Sequence, residues 1–166
     1  MNIQNLNCLI DLHLHLDGSL PLHTVKELVE QQGITLQMTD GELKKKLSVP
    51  AGCRDLNEYL TKFEFPLTLM QTPEALEKCM HDLLTELEGQ GVQYCEVRFA
   101  PQLHTQKGMS QNEVIEAVKA GLYSVAGVKP ESIHAGIILC CMRGSDNGQQ
   151  NKITVEEAAK IELRSL

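Results

Sequence analysis

Positive charge is in short supply. Lys and Arg number 15 against 22 Asp and Glu, a formal net charge of −7. The only basic run is Lys44, Lys45 and Lys46, which reads as a solvated helix face. Proteins that hold nucleic acid or an anionic membrane surface usually present a basic face, so neither partner is expected. Long apolar runs are absent too. None approaches the roughly 18 residues of a membrane span. Residues 1–7 lack the basic start of a secretory signal, and Ile10 is soon followed by Asp11 and His13. The six cysteines include no C-x-x-C pair, which argues against a zinc ribbon, and their density is too low for a disulfide scaffold. Cys8, Cys79, Cys95, Cys140 and Cys141 sit in apolar runs and read as small hydrophobes. Cys53 lies in a polar loop and is the thiol expected at the surface. A reducing cytoplasm is the expected location.

What is present is ordinary. A chain of 166 residues with 42% hydrophobic and 22% charged residues can bury a sizeable core, as one domain or as part of a larger one. Three segments read as strands: residues 8–15 (CLIDLHLH), 92–100 (VQYCEVRFA) and 132–142 (SIHAGIILCCM). Strict alternation in the first puts Ile10, Leu12 and Leu14 on one face and Asp11, His13 and His15 on the other. The third is nearly all apolar, as a strand covered on both faces would be.

Helical signals fill the intervals. Pro21 opens a helix with the stripe Leu22, Val25, Leu28 and Val29, and Gly33 stops it. Thr39 with Glu42 and Ser110 with Glu113 have the spacing of capping boxes, as do Thr154 and Glu157 ahead of Ala158, Leu163 and Leu166. Asp55 is positioned to cap a helix carrying Leu56, Tyr59, Leu60 and Phe63. Thr72 and Pro73 begin a long helix with Leu76, Cys79, Met80, Leu83, Leu84 and Leu87 on one stripe. Residues 146–151 (DNGQQN) read as a polar loop. The alternation of strands and helices implies parallel strands with right-handed crossovers. The fold class is therefore α/β, either a small open domain or the front of a larger barrel. Roughly 75 residues separate the first two strands, more than one crossover needs.

The segment 11–21 (DLHLHLDGSLP) carries the chemistry. His13 and His15 stand two apart, so both imidazoles project to one face near the strand's C-terminal end, where parallel α/β folds place their active sites. Two such imidazoles suit zinc. As a bare pattern, H-x-H also fits core or surface histidines. On the second strand, Glu96 and Arg98 share a face and read as a buried ion pair, with Asp11 as a further member. Tyr59 and Phe63 at helical spacing read as core. His23, His81 and His104 read as surface imidazoles.

HLHLDGSLP resembles the first-strand motif of the adenosine deaminases, members of the metal-dependent amidohydrolase superfamily. YCEVRFAPQLH and GIILCCMR are similar to that family's second and third strands in order and spacing. The resemblance implies a partial (β/α)8 TIM-type barrel, residues 1–166 being the N-terminal part of a single domain with extra helices between strands 1 and 2. It implies hydrolytic deamination of adenosine or deoxyadenosine to the inosine nucleoside plus ammonia. By position, His13 and His15 match zinc ligands. His15, Asp17 and Gly18 match the substrate loop, with Asp17 at the acid that holds the ribose 5′-hydroxyl. Relatives acting on adenine tend to have glutamate there, and those acting on methylated nucleotides asparagine. Tyr59, Leu60 and Phe63 match a helix lidding the purine pocket.

The family's remaining ligands and its catalytic glutamate are expected beyond Leu166. No catalytic residue is expected in this chain, which alone should hold zinc weakly or not at all and be inactive. His134, Ala135 and Gly136 are only superficially like a later family motif, since Ile137 follows where a glutamate belongs. Two other readings stand beside this one: a related amidohydrolase acting on another aminopurine, and a non-catalytic half-barrel that self-associates through open strand edges.

Overall fold

The computed structural model describes residues 9–129 and 131–161. The expectations for Cys8, Leu163 and Leu166 fall outside them. Three strands, β1 (Leu9–His15), β2 (Val92–Phe99) and β3 (His134–Leu139), form one parallel sheet in that spatial order. Helices α1 (Leu22–Gln31), α2 (Asp40–Leu47), α3 (Leu56–Leu69) and α4 (Pro73–Gly89) all lie between β1 and β2. Helix α5 (Gln111–Tyr123) joins β2 to β3, and α6 (Gly148–Lys160) follows. This is the expected α/β architecture, three consecutive β/α units of a TIM-type barrel with extra helices after the first strand.

Local chemistry sets most helix starts. The Thr39 hydroxyl accepts the Glu42 amide at 3.3 Å while the Glu42 carboxylate accepts the Thr39 amide at 2.8 Å. Ser110 and Glu113 repeat this reciprocal pair at 3.3 and 2.8 Å. Asp55 caps α3 through the Glu58 amide, and Thr72 caps α4 through the Ala75 amide with Pro73 behind it. Each cap contributes about 1 kcal/mol. Gly33 leaves α1 at φ +65, a conformation that favours glycine.

The third expected capping box does not exist. Helix α6 starts at Gly148, inside the stretch read as a loop, and Thr154 sits buried within it. The reason is tertiary. Thr154 donates its hydroxyl to Gln111 Oε1 at 2.6 Å, and Gln111 Nε2 donates to the Gln150 carbonyl at 3.0 Å. Those bonds to α5 recruit a polar sequence into a helix that its composition disfavours.

The core lies on one side of the sheet. Cys95, Val97 and Phe99 of β2 are buried there with Leu76, Met80, Leu83 and Leu84 of α4 and Val114, Ile115, Val118 and Leu122 of α5. Helices α4 and α5 approach closely at Gly121, where a Cβ would come within 2.9 Å of Met80 Cβ. Asp82 of α4 accepts the Thr24 hydroxyl of α1 at 2.8 Å, and Lys78 of α4 pairs with Glu27 of α1 at 2.6 Å, tying the two helices together.

Strand β3 departs from expectation. Ala135 is buried, but residues 136–139 are only half-buried and the strand ends at Leu139. It is an edge of the described sheet, beside a cavity of about 300 Å³ lined by Ile115, Leu122, Ile137, Leu139 and Ile161. Cys79 and Cys95 are buried as expected, whereas Cys140 and Cys53 are half-buried and Cys141, past the strand end, is exposed. His23 and His81 are at the surface. His104 is not: a 3-10 turn at Pro101–His104 folds it inward, fully buried, its ring edge-on to Phe99 at 6.0 Å between centroids.

Candidate active site

Strand β1 does not keep strict alternation. Its register against β2 slips twice, between Leu9 and Ile10 and between Asp11 and Leu14. Ile10 lies beside Tyr94, Asp11 beside Cys95, Leu14 beside Val97 and His15 beside Arg98. Paired neighbours in a sheet project to the same face. Asp11 and Leu14 therefore lie with the core-facing residues of β2, and Ile10 and His15 with the opposite face. The irregularity is consistent with a bond across it, in which the His13 amide donates to Asp11 Oδ1 at 3.0 Å.

His13 and His15 nevertheless come together. Their rings are 5.3 Å apart between centroids and tilted by 44°. His15 also meets the edge of Phe63 at 5.8 Å. Burial first, then the charges of Arg98 and His13, lower the His15 pKa, so its imidazole is neutral at pH 7 and keeps a free lone pair.

Arg98 was expected to pair with Glu96. Instead, its Nη1 lies 3.1 Å from His13 Nδ1 and 3.0 Å from His13 Nε2, and its Nε donates to Cys140 Sγ at 3.5 Å. Glu96 Oε1 accepts the Tyr94 hydroxyl at 3.3 Å. Asp11 is level with Cys95, away from this face, which removes it from the expected ion pair. The involvement of Cys140 was missed at the level of sequence because Arg98 and Cys140 meet only through the β2–β3 register, in which Phe99 pairs with Leu139.

A 3-10 turn at Leu16–Gly18 carries the chain out of β1. Asp17 in that turn is buried, and its Oδ1 has no hydrogen-bond partner. Burial pushes its pKa up to about 6, against the pull of the Asp17 and Gly18 amides. Gly18 has no room for a side chain, since a Cβ there would stand 2.7 Å from Phe63 Cε1. Of the three expected lid residues, Phe63 reaches this turn and His15. Tyr59 packs against Phe63 with the rings tilted by 56° and their centroids 5.3 Å apart, while Leu60 is half exposed.

The donor set fits zinc in kind, with two adjacent imidazoles, one held neutral by burial. No group of three or more His, Cys, Asp or Glu side chains able to hold a metal occurs among the described residues. His13 and His15 therefore make up only part of a usual zinc ligand set.

Residues 8–165 match the family model for adenosine deaminase. The adenosine deaminase of Haemophilus ducreyi is 48% identical over 148 residues, covering 88% of this chain and 42% of that protein. The chain thus spans less than half the length of such relatives. Among solved structures, arabidopsis ADAL complexed with GMP is similar with a TM-score of 0.66 and 22% identity, over 91% of this chain and 46% of that one. An amidohydrolase from B. ambifaria with bound Zn is similar with a TM-score of 0.62 and 16% identity, over 80% of this chain and 35% of that one. At these identities the solved structures speak for the fold alone.

Proposed function

The chain belongs to the adenosine deaminase family, and from that premise we propose that it supplies the first-strand side of a zinc-dependent site that deaminates adenosine. On this reading residues 1–166 are the N-terminal part of one barrel domain working in the cytoplasm, and the substrate is a purine nucleoside. The observation that carries the reading is the pairing of His13 and His15 on one face at the end of β1, with Asp17 and Phe63 against the same turn. His13 and His15 would hold the zinc. When bound, such an ion lowers the pKa of water to about 7 and makes hydroxide available at neutral pH.

The chain's own residues do the rest by position. The Asp17 carboxyl, buried with an unsatisfied oxygen, is suited to a substrate hydroxyl and takes the role of holding the ribose 5′-hydroxyl. Phe63 closes over His15 and keeps water from that side of the ring. Tyr59 and Leu60 offer apolar surface to a purine.

A chimaera tests this. Residues 8–161 replace the matching segment of the Haemophilus ducreyi enzyme, and turnover of adenosine, deoxyadenosine and adenine is followed. The two nucleosides should be deaminated in preference to the free base. Asp17→Asn should raise KM for the nucleosides by about tenfold, the loss of one hydrogen bond to a charged group. A folded chimaera that prefers adenine, or an unchanged KM in Asp17→Asn, would overturn the proposal, and the first outcome would favour a related amidohydrolase.

A second reading concerns the chain by itself. Ile10 and Leu12 of β1 are 58% and 57% exposed, and β1 and β3 are the outer strands of the described sheet. Unpaired edges with apolar neighbours are templates for pairing. We propose that the isolated chain self-associates through them without catalysing deamination. Light scattering across a dilution series should show a concentration-dependent oligomer, and a monomer throughout would refute it.

A further inference from the structure

The contact between Arg98 and His13 is made over the ring and not at its rim. Arg98 Nη1 lies 3.1 Å from His13 Nδ1 and 3.0 Å from His13 Nε2. In the ring plane, a point so nearly equidistant from both nitrogens would overlap the ring carbons. Nη1 therefore sits above the imidazole face, as a guanidinium does when it stacks on an aromatic ring. Arg98 thus leaves both nitrogen edges of His13 open. A metal ion takes the lone pair of a neutral imidazole, which lies in the ring plane. The stack and a metal bond run at right angles and can share one ring.

The two imidazoles differ in what fixes them. His15 is half-buried, and Phe63 meets its ring edge-on at 5.8 Å. His13 is exposed, so packing leaves its broad ring torsion unrestrained. The bond from its amide to Asp11 Oδ1 holds the backbone and not the ring. Arg98 is the group against its face. Arg98 is itself held, its Nε donating to Cys140 Sγ at 3.5 Å. The contacts cross the sheet, from Cys140 immediately after β3, through Arg98 on β2, to His13 on β1. Building on the reading of His13 and His15 as metal ligands, we propose that Arg98 is a positioning residue for the metal site. Its guanidinium restrains the plane of His13 and so aims an in-plane lone pair at the ion, as Phe63 restrains His15. Charge alone does not do this. A guanidinium is flat and resists tilting of the ring beneath it, whereas an ammonium is a point charge on a flexible stem. Lysine at position 98 is therefore no substitute.

Magnetic resonance of the metal-free chain tests the restraint directly. The Arg98 guanidinium protons should be shifted upfield by the His13 ring, and the Hα–Hβ couplings of His13 should report one rotamer. In Arg98→Lys those couplings should average over several rotamers. Averaged couplings in the parent, or a single rotamer in a folded Arg98→Lys, would overturn the proposal. The parent measurement decides even where the variant fails to fold. The consequence for the metal is read in the chimaera that carries residues 8–161. There Arg98→Lys should weaken zinc binding against a chelator by about tenfold, as loss of a partner that orients a metal-bound histidine does. It should also lower kcat while KM for adenosine stays the same. Zinc affinity and kcat equal to the parent's would remove the positioning role alone. A parent chimaera that holds no zinc would sink the metal-ligand reading, and this inference with it.

Discussion

The two faces of the sheet are built for different ends. On the helix side, Cys95, Val97 and Phe99 are buried to 2% exposure or less against α4 and α5. On the other side, Tyr94, Glu96 and Arg98 alternate with them along the same strand, half-buried and in polar contact with Glu96, Tyr94, His13 and Cys140. One face contributes stability through apolar burial and the other holds donors and acceptors in place. The strand's period of two is what lets one segment do both. A substitution on β2 should therefore report its face before anything else.

The largest expected effect tests the packed face. Phe99→Ala removes a fully buried ring and should cost about 3–5 kcal/mol in urea unfolding. Tyr94→Ala, five residues earlier on the opposite face, should cost about 1 kcal/mol, the loss of one hydrogen bond and partial burial. Equal costs would break the comparison.

Acid titration sharpens it, because each region holds a group whose ionisation burial displaces strongly within the acid range. His104 lies under the packed face, where burial lowers its pKa to about 4, while its Nδ1 donates to the Met70 carbonyl at 3.0 Å. Its folded pKa is below the unfolded value of 6.5, so its contribution is present above pH 6.5 and lost as pH falls through 4. Asp17 by the candidate site is raised to about 6 from 3.8, so its contribution is present below pH 3.8 and lost as pH rises through 6. Each shift is worth about 3 kcal/mol. In the parent the two oppose each other over the same window. Asp17→Asn should leave the His104 slope, with stability falling more steeply toward pH 4 than in the parent. His104→Gln should leave the Asp17 slope, with stability rising toward acid relative to the parent. Urea midpoints from pH 4 to 7 decide the matter, and identical profiles would remove both assignments.

Much of this was legible in the residues. Caps at Thr39, Asp55, Thr72 and Ser110 use local hydrogen bonds, so spacing alone revealed them. The pairing of His13 with His15 survived because two residues on a short strand end cannot stray far apart. What escaped were contacts between elements. Helix α6 starts where Gln111 captures Gln150 and Thr154, 39 and 43 residues away. His104 is drawn inside by the Met70 carbonyl and Phe99, and no neighbour in sequence announces it. Arg98 reaches His13 across the β1–β2 pairing, where a rule of charge complementarity pointed to Glu96. Register slips in β1 moved Asp11 to the core side, and strict alternation has no means of showing a bulge.

The smallest effect bears on the open face most directly. Leu12 is 57% exposed, so replacing it by serine removes little buried area. Leu12→Ser should shift the unfolding free energy by no more than about 0.5 kcal/mol, as at other surface positions. The same change removes apolar surface beside a strand edge, where a second copy of the chain would sit. A variant as stable as the parent that stays monomeric where the parent associates would separate the two regions cleanly: folding strength in the helix layer, contact with other molecules on the bare side of the sheet. A large loss of stability in Leu12→Ser would instead mean that this face is packed in solution, and the contrast between the two faces would have to be withdrawn.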